Sequence, residues 1–430
     1  MSIIAIIILL FILLLFIGLP VAFVLGVESV LYCMLTGNLD FLYIISHNLF
    51  KGMNNFVLMA IPLFILTGEI MNQGTITNKL VNFANVLVGR LRGGLAHVNV
   101  VGSMFFAGIT GSALSDVAAL GSMLIPAMEK SGYDKEFSAA VTAASAIQGP
   151  IIPPSIPAVL IAAVTGTSTG ALFLGGAIPG ILLGLFCCII VAVISKKRQY
   201  PKNQEPITFR IFMASLLQAF LPLLTPIIIL GGILAGIFTP TEAAAVSVLY
   251  ALILTVFAYR AFSLKNLKEI LVTTIISTSK IYLIIGTASI FAWILAMENI
   301  PTMAANYLSA FSDNQVIALI IINLFLLFWG MWMDTAPSIM VLMPLLLPIA
   351  SRIGIHPTHL GVIVIVNLMI GLLTPPFGMA LFSAQAVSNV TLKGLLKELW
   401  PFLVGHLVIL ALITFVPEIS LFLPRLFGLL

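Results

Sequence analysis

The residues best suited to chemistry lie in a run of small and polar residues from Gly108 to Asp116. Gly111 allows a tight reversal, because a residue without a Cβ adopts backbone conformations that others avoid. Ser112, Ser115 and Asp116 offer the oxygen atoms that hard cations require. The alternative is that Ser115 or Asp116 only caps a helix, but capping and ion binding are compatible. We therefore predict an ion site here.

A second polar break runs from Met333 to Ser338 and has similar ingredients. Pro337 suits the first turn of a helix, so Asp334 or Thr335 is expected to cap that helix. An aspartate at membrane depth is costly and marks a functional position by default. Two such breaks, each with an aspartate, indicate a function that is shared between them.

Two proline-rich runs must interrupt helices, since each proline removes a backbone donor. The first run, Gln148 to Ser155, contains Gly149, Pro150, Pro153 and Pro154. Irregular backbone is tolerated in a bilayer only where it is buried in protein or lines a wet cavity. Its free carbonyl groups could bind Na⁺, and the start of the next helix favours an anion. A kink without a ligand is the alternative.

The second run, from Gly371 to Pro376, repeats this arrangement, and Thr374 adds a hydroxyl group ahead of Pro375. Asn367 lies one turn before Gly371 on the same helix face. Its amide could serve the site or hydrogen-bond to a neighbouring helix.

Membrane helices must position these residues. The chain has 430 residues, of which 61% are hydrophobic and 8% charged, whereas a soluble domain carries about 25% charged residues. A soluble enzyme, a disordered chain and a nucleic-acid binder are therefore excluded. The runs are apolar all round, unlike barrel strands, so we predict an all-α polytopic membrane protein with about ten spans. The apolar segments lie at about 3–18, 20–36, 54–73, 95–128, 137–163, 172–194, 213–237, 240–258, 271–297, 316–351, 358–388 and 400–423.

Two segments, 95–128 and 316–351, fit re-entrant helical hairpins. Each would form roughly 51 Å of helix, too long for one crossing and short for two. With both as hairpins, 15 of the 19 Lys and Arg residues fall in cytoplasmic loops, as the positive-inside rule requires. Lys51, Arg352 and Arg425 remain outside, and Lys280 lies within a span.

The chain also contains an internal repeat. Ser29 to Tyr32 recurs as Ser247 to Tyr250, and the same offset of 218 residues maps Asp116 onto Asp334. We predict two inverted-topology repeats, an architecture of secondary transporters whose site lies between the copies. The first covers 1–170, with a hairpin at 95–128 and a broken transmembrane helix at 137–163. The second covers 213–390, with a hairpin at 316–351 and a broken helix at 358–388. Residues 171–212 form a connecting transmembrane helix and a cytoplasmic loop, and 391–430 a C-terminal transmembrane helix.

These motifs resemble one known family. Gly-Ile-Thr-Gly-Ser-Ala-x-x-Asp at 108–116, Gly-Ser-x-x-Ile-Pro at 121–126, Gly-Tyr at 132–133 and Gly-Pro-Ile-Ile-Pro-Pro-Ser-Ile-Pro at 149–157 are similar to the large membrane subunit (M subunit, DctM-like) of tripartite ATP-independent periplasmic (TRAP) transporters. Phe-Thr-Pro-Thr-Glu-Ala at 238–243 and Thr-Pro-Pro at 374–376 are similar too. The resemblance covers nearly the whole chain.

The resemblance implies an elevator-type importer in the bacterial inner membrane that couples a small organic acid (carboxylate) to Na⁺. It implies two partners, namely a separate small four-helix membrane subunit and a periplasmic substrate-binding protein. The outer helices, 3–73 and 213–297, would form a fixed scaffold that binds the small subunit. Carried over by position, it places sodium at Gly111, Ser112, Ser115, Asp116, Gly149, Pro150, Asp334, Thr335, Gly371 and Thr374. It places the substrate at Ser112, Pro153, Pro154, Ser155, Asn367, Pro375 and Pro376.

Three other interpretations remain open. A stand-alone Na⁺/dicarboxylate symporter shares paired hairpins and inverted repeats but needs no binding protein. An ion channel also can contain inverted hairpins. An intramembrane enzyme is disfavoured, because the sequence has no His-Glu-x-x-His motif. The five histidines form no metal-ligand spacing, and no Gly-x-x-x-x-Gly-Lys-Ser/Thr loop supports drive by ATP.

Overall fold

The computed structural model describes residues 3–37, 41–72, 75–202, 208–260, 264–311 and 314–430. Over these ranges the chain is almost entirely α-helical, and its one β-type pairing is an isolated bridge between Arg92 and Lys202. The predicted all-α fold class is therefore confirmed.

The helices before residue 170 carry the first hairpin and the first proline-rich break. They are α1 Ile3–Phe16, α2 Val21–Thr36, α3 Phe41–Met53, α4 Ala60–Asn72, α5 Thr75–Val88, α6 Gly94–Thr110, α7 Ala113–Lys130, α8 Lys135–Ala146 and α9 Ile156–Thr165. A 3-10 turn, Phe56–Met59, joins α3 to α4.

The later helices carry the second hairpin and the second proline-rich break, and they follow one long connecting helix, α10 Thr169–Lys197. They are α11 Phe209–Leu234, α12 Pro240–Ile253, α13 Leu264–Met297, α14 Ile300–Phe311, α15 Gln315–Gly330, α16 Thr335–Arg352, α17 Pro357–Gly371, α18 Met379–Ser388, α19 Leu392–Phe415 and α20 Glu418–Leu426. A π-helical turn, Leu254–Ala258, extends α12.

Among the described residues, six helices are long and apolar enough to cross a membrane, namely α10, α11, α12 with its π turn, α13, α16 and α19. The pair α3 and α4, which bends by 55°, would be a seventh span. Most of the remaining apolar helices are shorter, because the polar runs divide them. The predicted hairpins are the pairs α6–α7 and α15–α16, and the predicted broken helices are the pairs α8–α9 and α17–α18.

One sequence prediction about the elements was wrong. Residues 41–53, expected in an outer loop with Lys51, form α3. Phe41, Ile45 and Leu49 recur every four residues and pack against the core, whereas the polar residues between them lower the hydropathy of the segment. The C-terminal segment 391–430 contains α19, which is long and apolar enough to cross a membrane. The short helix α20 follows it after Pro417, because Val416 leaves the helical conformation.

The helices can be described as two groups, which contact each other where α13 packs against α16. In the outer group, α4 packs against α12, and α2 and α3 pack against α13. In the inner group, α7 packs against α18 and α9 against α16, while α8 packs against α19. The second arm of each hairpin therefore contacts the second half of the other broken helix. The division into two inverted repeats stays a prediction that this exchange supports.

Candidate functional site

The tip of the first hairpin is a tight turn between α6 and α7. Gly111 ends α6 in the left-handed conformation, with a φ of 59°. Ser112 caps α7, and its hydroxyl accepts the Ser115 N–H at 3.5 Å. Asp116 lies in the first turn of α7 and is completely buried. The cap is therefore Ser112, and the interpretation of Ser115 or Asp116 as the cap was wrong.

Asp116 has one satisfied and one unsatisfied oxygen atom. The Thr110 hydroxyl donates to Asp116 Oδ1 at 2.6 Å, whereas Oδ2 has no hydrogen-bond partner among the described residues. A Cβ at position 149 would lie 2.6 Å from Asp116 Oδ2, and a Cβ at position 111 would lie 2.9 Å from the Pro154 carbonyl oxygen. Glycine at both positions thus permits the hairpin tip to touch the first break.

The first break is closed by its own polar groups. The Ser155 hydroxyl donates to the Pro150 carbonyl oxygen at 2.5 Å and accepts the Ala158 N–H at 3.1 Å, so that Ser155 caps α9. Pro153 and Pro154 are both buried. The Pro153–Pro154 peptide bond is cis, as is the Pro375–Pro376 bond in the second break.

The tip of the second hairpin is capped by Asp334, one of the two predicted candidates. Its Oδ1 accepts the Thr335 N–H at 2.7 Å, and its carbonyl oxygen accepts the Ser338 hydroxyl at 2.7 Å. Thr335 is buried, and its Oγ1 has no hydrogen-bond partner among the described residues. The second tip therefore also presents an unsatisfied oxygen atom.

The second break is held against the second tip. A Cβ at position 371 would lie 2.6 Å from the Gly330 carbonyl carbon, and the Phe377 N–H donates to the Met331 carbonyl oxygen at 3.2 Å. The Thr374 hydroxyl donates to the Ile370 carbonyl oxygen at 3.0 Å. Pro375 is half-buried and Pro376 is exposed.

Asn367 joins two helices, which was one of its two predicted roles. Its Nδ2 donates to Asn323 Oδ1 on α15 at 2.7 Å, and its buried Oδ1 has no partner among the described residues. A role of Asn367 in substrate binding stays a prediction.

Both tips and both breaks meet at one cavity of about 120 Å³. Its lining includes Gly111, Ser112, Pro150, Asp334, Thr335 and Leu372. Ile281 of α13 forms part of the wall, so the outer group of helices closes the cavity on one side. The cavity thus combines hydroxyl groups and the N-terminal ends of two helices, α7 and α16, from opposite halves of the chain.

A second cavity, of about 110 Å³, adjoins the first tip. Ser112 and Ser115 line it together with Glu69, Asn72 and Ser277 of the outer helices. The remaining predicted residues line neither cavity, namely Asp116, Gly149, Pro153, Pro154, Ser155, Asn367, Gly371, Thr374, Pro375 and Pro376. Of these, Gly149 and Pro154 of the first break lie against the first hairpin, where Gly149 contacts Asp116. Gly371 of the second break lies against the second hairpin.

Sequence reasoning missed Thr110, Glu69 and Ser277. Glu69 makes no ion pair among the described residues and lines a cavity. For Glu69, the sequence contains one signal: Glu69 and Asn72 are three residues apart, a spacing that places both side chains on one helix face.

Comparison with known proteins identifies the arrangement. The family described as "Tripartite ATP-independent periplasmic transporter, DctM component" matches residues 8–419. The chain belongs to this family. DctM components are transporter permeases, so the chain acts in TRAP-type solute import rather than as an enzyme, and it is a multi-pass protein of the bacterial inner membrane.

Relatives of this DctM component cover nearly its full length. It is 44% identical over 421 residues to the sialic acid TRAP transporter large permease protein SiaM of Vibrio cholerae, covering 96% of each chain. It is 39% identical over 380 residues to the C4-dicarboxylate TRAP transporter large permease protein DctM of Pseudomonas aeruginosa, covering 88% of this chain and 89% of that protein.

The fold also has a solved counterpart. The crystal structure of the Alcanivorax borkumensis YdaH transporter matches with a TM-score of 0.59 and 13% identity, and each chain is covered to 88%. At this identity the likeness concerns the fold alone.

Proposed function

We propose that the DctM component imports a small organic acid together with Na⁺, by moving its inner helices past a fixed outer group. The observation that carries the proposal is the meeting of two hairpin tips and two broken helices at one cavity. Such a site near the midplane between two halves is typical of secondary transporters.

The chemistry around Asp116 supports a sodium ion. The carboxylate is completely buried, Oδ2 is unsatisfied, and no ion pair of the described residues includes it. A buried charge is costly unless it is paired, and a bound Na⁺ would supply the missing positive charge. Gly111, Ser112, Ser115, Gly149 and Pro150 would contribute the remaining oxygen atoms.

The second half offers a comparable set for another sodium ion. Asp334 and Thr335 would hold the ion with Gly371 and Thr374, and the unpartnered Thr335 Oγ1 supports this assignment. Oxygen-rich sets of this kind suit hard cations.

The transported acid would lie between the two halves. Ser112, Pro153, Pro154 and Ser155 would form one side of its site, and Asn367, Pro375 and Pro376 the other. The N-terminal ends of α7 and α16 carry partial positive charge, which favours a carboxylate. The named substrates of two relatives, sialic acid and C4-dicarboxylates, are both carboxylates and support this class.

Electrostatics explains why the acid needs a coupling ion. An anion entering a negative interior is opposed by about 2.3 kcal/mol per charge for each 100 mV. Two Na⁺ with a monocarboxylate would make the moving complex positive, so the membrane potential would then drive import.

Two partners complete the proposed transporter. A small four-helix membrane subunit would brace the outer helices, 3–73 and 213–297. A periplasmic substrate-binding protein would deliver the acid. Membership of a tripartite family supports both partners.

The test is uptake of radiolabelled organic acids into proteoliposomes that contain the chain and its small subunit. Each acid is offered with and without an inward Na⁺ gradient, and with and without the binding protein. We expect uptake that requires both. Uptake with no dependence on Na⁺ would contradict the coupling, and Na⁺-driven uptake without any binding protein would favour the stand-alone symporter.

A further inference from the structure

A larger cavity, of about 390 Å³, lies between the outer and inner helices. Residues of α3 and α13 form one wall, and residues of α9 and α16 form the other. It lies next to the 120 Å³ cavity at the hairpin tips, here called the central cavity, because residues of α9 and α16 line both. Thr335 lines the central cavity, whereas Met340, about 7.5 Å further along α16, lines the larger one.

The distribution of basic residues places this larger cavity on the periplasmic side. Lys51 lines it near the bend between α3 and α4, and the predicted positive-inside arrangement leaves this residue outside although it lies in a helix rather than in a loop. Helix α16 leads from the hairpin tip past the cavity to Arg352, which the same arrangement also leaves outside.

Lys51 differs from the other two outside cations because it has no partner among the described residues. Arg425 forms an ion pair with Glu418, and Arg352 donates to Asn306 Oδ1 at 2.7 Å. Lys51 forms no ion pair or side-chain hydrogen bond in the described part of the chain. Its charge is therefore available to a ligand in the cavity.

A second donor lines the same cavity. Asn48 Nδ2 is buried and has no hydrogen-bond partner among the described residues. Asn48 and Lys51 are three residues apart on α3, a spacing that places two side chains on one helix face. No carboxylate lines the cavity, so the unpaired donors favour an anion there.

We propose that Lys51 and Asn48 form a receiving site for the carboxylate group of the transported acid, occupied before the acid reaches the hairpin tips. This inference rests on the proposed import of an organic acid. It assigns α3 a role in capturing substrate, beyond its role in the outer scaffold.

Cysteine labelling tests the site without relying on transport. Ala292 lies in the same cavity and is half-buried, so an Ala292→Cys variant reports on access while it keeps both donors. In the purified complex, its labelling rates with an anionic and a cationic thiol reagent are compared, with the unsubstituted chain as background. We expect the anionic reagent to be favoured, and Lys51→Gln to reduce that preference about two- to fivefold, as for loss of an exposed ion pair. A preference that Lys51→Gln leaves unchanged would overturn the proposal.

Protection of the same cysteine identifies the ligand. A transported organic acid should slow labelling, whereas chloride or inorganic phosphate at equal ionic strength should not. Equal protection by all three anions would overturn the assignment to a carboxylate.

Uptake gives the functional counterpart. Lys51→Gln should raise the half-saturating concentration of the acid by about two- to fivefold with little change in the maximal rate. Arg352→Gln removes an equal charge from the same side and should change neither.

If the wild-type chain shows no Na⁺-coupled uptake while the labelling results hold, the proposed function fails and the anion site stands. Wild-type uptake with an unchanged Lys51→Gln variant overturns the receiving site alone.

Discussion

At the scale of single residues, the buried Asp116 side chain can be either a neutral carboxylic acid or a charged carboxylate. A neutral carboxylic acid would need an acceptor for its proton, whereas a carboxylate needs a positive charge. Asp116 Oδ1 already accepts a hydrogen bond from Thr110, and Oδ2 has no hydrogen-bond partner among the described residues. The proposed sodium site requires the carboxylate form, in which the bound cation supplies the missing positive charge.

Replacing Asp116 separates these possibilities. Asp116→Asn keeps the size and shape of the side chain but removes its charge. We expect the half-saturating Na⁺ concentration for uptake to rise at least about tenfold, since a lost charge contact is worth more than about 1 kcal/mol even in a polar interior. The matched variant is Asp134→Asn, which makes the same change at the N-cap of α8 and should leave the Na⁺ dependence intact. An Asp116→Asn variant with wild-type Na⁺ dependence would show that the residue is structural.

The sequence allowed prediction of those site residues that are unusual within their own segment. Prolines and aspartates inside apolar runs are costly, so the breaks and tips could be found without a structure. Ser277 and Ile281 could not, because they belong to an outer helix and reach the cavities only through packing between distant parts of the chain.

At the scale of elements, a cluster of charged and polar groups ties α8, α10 and α19 together. Arg198, after α10, donates to both carboxylate oxygens of Glu398 on α19, at 2.9 and 2.7 Å, and to Asp134 before α8 at 2.8 Å. The Tyr200 hydroxyl donates to Asp134 Oδ2 at 2.6 Å. Burial and this hydrogen bond raise the pKa of Tyr200 to about 12, so the hydroxyl keeps its proton at neutral pH.

This cluster should stabilise the inner group measurably. Glu398→Gln removes the charge from a bidentate pair whose carboxylate is only 13% exposed. We expect the free energy of unfolding to fall by about 1–2 kcal/mol, because hydrogen bonds to charged groups are stronger than neutral ones. Glu418→Gln is the matched control. The side chains of Glu418 and Arg425 are 59% and 55% exposed, so their ion pair should contribute about 0–0.5 kcal/mol. Thermal unfolding of both variants in one detergent decides between them, and equal midpoints would contradict the prediction.

Element boundaries were predictable where the polarity changes sharply along the chain. Thr239 and Glu242, for example, form the predicted start of α12 through a reciprocal capping pair. Helices α3, α5 and α14 escaped the search for apolar runs, because each mixes polar residues with apolar ones at helical spacing.

At the scale of the whole molecule, the two groups of helices meet along a surface that contains the three cavities described above. Residues of α13 line each of them. A repeat in the sequence could suggest two halves, since matched aspartates and prolines survive in both. It could not show that the second arm of each hairpin packs on the opposite half's broken helix, because that exchange is a property of packing.

The moving-group proposal predicts which contacts must break during transport. Asn55, at the bend between α3 and α4, donates to the Ala163 carbonyl oxygen of α9 at 3.3 Å, so it joins the outer group to the inner one. Thr67 and Ser247 are also in contact, with their hydroxyl oxygens 2.8 Å apart, but both belong to the outer group. The first contact should open in each cycle, whereas the second should persist.

A short cross-link between cysteines at 55 and 163 should therefore abolish uptake, and cleavage of the link should restore it. The Thr67→Cys and Ser247→Cys pair is the matched control, because these substitutions are nearly the same size and the linked helices move together. Uptake is measured in proteoliposomes before and after reduction, with the extent of cross-linking measured on the same samples. Full uptake by an Asn55→Cys and Ala163→Cys chain that is completely cross-linked would mean that α9 does not move past the bend, and the site would then have to open by local motion of the hairpin tips.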